Sequence, residues 1–104
     1  MKAIETQKLE AELWCNTENI YTLLNDRIAG TIDTVEQWRK GTLVQNEAIE
    51  WIFSDLREGK RQLKKASFKR NGSYKVHPRA YDECVNILEV IFMEALEAVG
   101  FGRI

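Results

Sequence analysis

The stretch LNDRIAGTIDTVEQWRKG, residues 24–41, decides how the chain folds. It carries two glycines, Gly30 and Gly41, and a polar run between them. Glycine adopts the left-handed conformation that closes a helix, so Gly30 reads as the end of a preceding helix. Asp33-Thr34-Val35-Glu36 then has the form of a capping box, with Asp33 as the cap. It opens a short helix over 33–40, which Gly41 stops. Val35 and Trp38 lie three apart and would pin that short helix to the one before it.

Upstream, Leu9 and Leu13 sit four apart, and Ile20, Leu24 and Ile28 repeat the spacing. This predicts helix over 6–28, interrupted or merely striped with polar residues at Asn16-Thr17-Glu18-Asn19. Downstream, Ile49, Ile52, Phe53 and Leu56 form one apolar stripe and predict a helix over 46–58. It ends at Gly59 or continues to Ala66, since Leu63 lies one heptad past Leu56. In Phe68 to Val76, Asn71-Gly72 lies between short alternating arms. That pair suits a type I′ turn and predicts either a basic two-stranded hairpin near 67–76 or a plain loop. Pro78 suits the first position of a last helix, 78–99. The expected fold is therefore all-α, one domain over 1–104 with four or five helices.

Charged residues make up 30% of the chain and the net charge is only −1. The balance is local, however. Residues 1–56 hold five Lys/Arg against ten Asp/Glu, and residues 80–104 hold one against five. Residues 57–79 hold nine Lys/Arg and a single Glu. A basic centre between acidic flanks is an electrostatic footprint that attracts phosphate. Lys60, Arg61, Lys64, Lys65, Lys69 and Arg70 are its candidate contacts, with Phe68 and Tyr74 interleaved among them.

The stretch 24–41 also resembles the helix-turn-helix of Cro/phage-repressor-like regulators. Leu24 and Ile28 match the first helix of that family, and Ala29-Gly30 its turn. Thr31 matches the polar entry residue, Thr34-Val35 and Trp38 the recognition helix, and Gly41 its stop. The resemblance covers 18 of 104 residues. It implies that Asp33, Thr34 and Gln37 face base edges, with Gln37 bidentate to adenine. It also implies that Arg39 and Lys40 hold the phosphate backbone and that Thr31 touches phosphate or a thymine methyl.

The last helix carries an unusually broad apolar face. Tyr81, Cys84, Val85, Leu88, Ile91, Phe92, Ala95 and Val99 share it, and Ile87, Val90 and Leu96 widen it past half the circumference. Such a helix needs cover on most sides. A homodimer seam through Leu88, Ile91, Phe92, Ala95 and Val99 would provide it and would match the symmetry of helix-turn-helix readers.

Nothing in the pattern suggests catalysis. His77, the sole histidine, reads as the residue before a helix-opening proline, not as the proton carrier of a ribonuclease. Cys15 and Cys84 suit neither a disulfide framework nor zinc, and no phosphate-cradling loop is present. No catalytic residue, metal or cofactor is expected. The first twelve residues, MKAIETQKLEAE, are too charged for a signal-peptide core, and no apolar run approaches a membrane span. The expectation is a soluble, cytoplasmic, DNA-binding regulator of phage or bacterial type, acting on duplex DNA as a homodimer. The alternative is a helical interaction module that inhibits or modulates a protein partner.

Overall fold

The computed structural model describes the backbone of residues 2–102 and the side chains of Leu13 and residues 16–102. Leu9 and Cys15, both named above, lie outside the described side chains. Three helices follow one another: α1 over Lys2–Arg39, α2 over Gln45–Ser67 and α3 over Pro78–Ala98. Each packs on the other two, in an up-down-up arrangement around one core. Ile20 and Leu24 supply that core from α1, Ile52 and Leu63 from α2, and Cys84, Leu88 and Phe92 from α3.

The fold is all-helical, as expected, but the described residues form three helices, not four or five. The difference lies in residues 24–41. Gly30 is helical, is not among the positive-φ glycines, and α1 runs straight through it. There is no turn at Ala29-Gly30 and no separate helix over 33–40. The physical reason is the stripe that faces the bundle. Thr17, Ile20, Leu24, Ile28, Thr31, Val35 and Trp38 are spaced three or four apart without a break, and all are buried or half-buried. A turn at Gly30 would throw its second half off that line. The cap-like hydroxyls are used inside the helix instead. Thr31 Oγ1 donates to the Arg27 carbonyl at 3.0 Å and Thr34 Oγ1 to the Gly30 carbonyl at 3.1 Å. Such back-bonding satisfies a hydroxyl without ending a helix.

Gly41 does end α1. Its φ is +80°, its N–H donates to the Trp38 carbonyl, and the Thr42 N–H donates to that of Gln37. This is the paired closure of a Schellman motif, which needs a left-handed residue.

α2 also passes its glycine. Gly59 is buried where α2 meets both neighbours, and an added Cβ would stand 3.1 Å from Leu88 Cδ2 and 3.3 Å from Arg27 Cγ. Between α2 and α3 there is no two-stranded ribbon. A single antiparallel bridge joins Phe68 and Tyr74. The turn closes at Lys69, whose carbonyl accepts from Gly72 N–H at 2.9 Å, and only Gly72 takes a positive φ. Asn71 does not, so the type I′ geometry is absent. With Ser67 still helical and Val76 buried in the core, the arms are too short for a ladder.

α3 begins at Pro78, as the proline predicts, and His77 Nδ1 accepts from the Arg79 N–H at 3.3 Å as its cap. Polar links between side chains also tie the helices. Arg27 bridges α1 to Asp55 Oδ1 at 3.3 Å and to Gln62 Oε1 at 3.2 Å on α2. Burial pushes the Asp55 carboxyl above its ordinary value, and Arg27 offsets this only in part. Tyr21 Oη donates to Glu83 Oε2 at 3.2 Å across α1 and α3. Among the described residues no helix is long and apolar enough to cross a membrane.

Candidate nucleic-acid interface

Because α2 continues past Gly59, the basic block acquires a geometry. Arg57, Lys60, Arg61, Lys64 and Lys65 follow the spacing i, i+3, i+4, i+7, i+8. At 100° per residue they fall within an arc of about 140° on α2, opposite its buried stripe. All five are exposed. Lys69, Arg70 and Lys75 on the following connection and Arg79 in the first turn of α3 are exposed as well. The block is thus an exposed set of cations along the second half of α2, the connection that follows and the first turn of α3.

Two of these cations have acidic partners. Lys60 Nζ lies 2.9 Å from Glu89 Oε1 on α3. Arg61 Nε donates to Glu58 Oε2 at 3.0 Å and holds that carboxyl below its ordinary value. The side chains of Arg57, Lys64, Lys65, Lys69, Arg70, Lys75 and Arg79 make no ion pair among the described residues. Seven unneutralised cations on one surface leave a strong positive potential. Within it, Arg61, Lys65 and Lys75 rim a shallow cleft of about 440 Å³ whose floor is Leu23 and Ala66.

The interleaved aromatics behave differently from a stacking platform. Phe68 and Tyr74 rings lie 4.6 Å apart, and Phe68 packs edge-on against Tyr81 at 5.0 Å. These half-buried rings cover one another and close the α2–α3 connection. Packed on one another, they are not splayed out as a row of separate stacking surfaces.

The residues that the helix-turn-helix resemblance implies are not brought together as a reading surface. Thr31 and Thr34 are buried, at 1% and 3% exposure. Asp33 is exposed and accepts from Gln37 Nε2 at 2.8 Å, so the amide is already engaged. Arg39 and Lys40 are exposed, but they precede the start of α2, while the basic surface lies near its end. Gln45 to Lys64 alone spans about 28 Å of helix axis. The expected dimer seam is likewise displaced. Leu88, Phe92 and Val99 are fully buried inside the bundle, Ala95 is 7% exposed, and Ile91 is half-buried.

The basic block of residues 57–79 already counted Arg57, Lys75 and Arg79, but sequence reasoning did not name them among the contacts. For Arg57 the signal was available in the i, i+3, i+4 spacing, which becomes visible once the helix is carried through Gly59. Of the remaining reactive groups, burial and the nearby Glu83 push the Cys84 thiol up to about 11, so it has no thiolate to offer near neutral pH. Among the described residues no three His, Cys, Asp or Glu side chains gather where a metal ion could sit. Compared with protein-family models, with characterised proteins and with solved structures, the chain matches none.

Proposed function

We propose that this protein binds the phosphate backbone of duplex DNA through the basic surface formed by α2 and the α2–α3 connection. The observation that carries the reading is the row of exposed cations from Arg57 to Arg79, most of them without an acidic partner. Cations that meet phosphates release condensed counterions, and this term is blind to sequence. The self-packed aromatics favour duplex over single-stranded nucleic acid, since single-strand binders add base stacking on aromatic rings to the charge of their groove. The acidic flanks confine the contact to this surface by repelling phosphate elsewhere.

Reading of base edges by Thr31, Thr34 and Gln37 draws no support from this geometry, because the hydroxyls are buried and the amide is engaged. A regulatory role would then rest on occupancy of DNA rather than on a recognition helix. It would not need a homodimer through Leu88 and Phe92, whose side chains already fill the monomer's core.

The test is fluorescence anisotropy on random-sequence duplexes across a salt series. Replacing Lys64, Lys65, Lys69 and Arg70 with Ala should weaken binding alike for all sequences. Each lost phosphate contact should lower the log–log salt slope by about 0.9. Unchanged affinity in the quadruple variant would overturn the assignment.

A further inference from the structure

We propose that a groove between α2 and α3 docks a basic amphipathic helix of a partner protein. Val90 and Met93 stand 56% and 68% exposed on the solvent side of α3, and Phe101 is 48% exposed just beyond its end. These are high exposures for large apolar side chains. Together with Phe53 of α2 they line one groove of about 760 Å³. Phe101 is not a loose end, because its ring packs edge-on against Phe53 at 5.2 Å and its N–H donates to the Leu96 carbonyl. The Phe53–Phe101 side of the groove is therefore fixed by packing.

Its rim is acidic. Glu89, Glu94 and Glu97 border the groove, and no Lys or Arg is among the described residues that line it. Glu89 is held by Lys60, which marks where the groove meets the basic surface. From Glu89 to Glu97 the groove follows α3 for about 12 Å, enough for two turns of a partner helix. Apolar anchors at i and i+3 or i+4, flanked by carboxylates, are the complement of a helix with an apolar stripe and Lys/Arg beside it.

A second copy of this chain fits less well. Two-fold pairing along α3 would set Glu94 and Glu97 of one chain near those of the other, which costs several kcal/mol where charges are buried alike. The chain's own basic surface carries no exposed large apolar side chain among Lys60, Arg61, Lys64 and Lys65 to serve as the anchor. The neighbouring groove on the other side of α3, at Ile32, Val35 and Ile91, includes Arg39 and lacks the uniform sign. The occupant is thus a heterologous cationic helix. This inference is independent of the DNA-binding reading, and the two use different side chains.

The probe is a fluorescein-labelled four-turn Leu/Lys peptide with helical amphipathic spacing. Its controls are a scrambled peptide of the same composition and a Leu/Glu peptide of the same spacing. The wild-type protein should bind the patterned Leu/Lys peptide about tenfold or more tighter than either control. Val90→Asn with Met93→Gln, both at exposed positions, should lose about tenfold, and so should the isosteric pair Glu94→Gln with Glu97→Gln. The quadruple Lys64/Lys65/Lys69/Arg70 variant should bind the peptide as wild type does, which separates this inference from DNA binding. Equal binding of the scrambled peptide, or no loss in either double variant, would overturn it. So would a wild-type dimer in light scattering that Val90→Asn with Met93→Gln converts to monomer, since that would give the groove to a second copy.

Discussion

A glycine inside a helix costs roughly 1 kcal/mol relative to alanine, because it brings more backbone freedom to be lost. Gly30 is an exposed position in the last third of α1, and an added Cβ there would meet nothing closer than Asp55 Oδ2 at 4.0 Å. Gly30→Ala is therefore expected to stabilise the protein by about 0.5–1 kcal/mol in urea unfolding. A glycine that closed a helix with positive φ would give the opposite sign on the same substitution. Gly59→Ala should not share the gain, because Leu88 Cδ2 stands 3.1 Å from the new methyl. At this scale the sequence misleads for a definable reason. Thr31, Asp33 and Thr34 have the side chains of a helix start, but local preference is worth less than a continuous buried stripe. Gly41 was legible as a stop, since nothing apolar continues the stripe beyond Trp38 at the right spacing.

At the scale of elements, α3 was read almost to the residue, from Pro78 to its last turn, while the use of its apolar face was not. The expectation of a second chain rested on the breadth of that face, more than half the helix circumference. Once α1 and α2 are long rods, they cover Leu88, Phe92 and Val99 from within the same molecule. This assigns neighbouring positions opposite costs. Leu88→Ala should lose about 2–5 kcal/mol, as expected for a fully buried leucine. Val90→Ala, two residues away and 56% exposed, should change stability by less than about 0.5 kcal/mol. Chemical denaturation of the two variants checks the register of the helix. Similar large losses at both positions would show that the exposed face of α3 is buried in solution. The basic surface was legible as charge but not as shape, because the arc from Arg57 to Lys65 exists only if α2 passes Gly59.

At the scale of the whole molecule, the chain is an elongated bundle measuring 61 × 21 × 19 Å, with its uncompensated cations gathered on one surface and an apolar groove with a carboxylate rim alongside. Shape and charge both follow from α1 being one 38-residue rod. That continuity is the central claim, since it fixes the number of helices, buries Thr31 and Thr34, and supplies the cover that makes Leu88 and Phe92 core. Small-angle X-ray scattering on the monomer tests it most directly. The bundle has a Cα radius of gyration of 17.1 Å, and scattering should return a value close to that. A chain of this length folded into a compact helix-turn-helix domain would give about 13 Å, and that result would contradict the account.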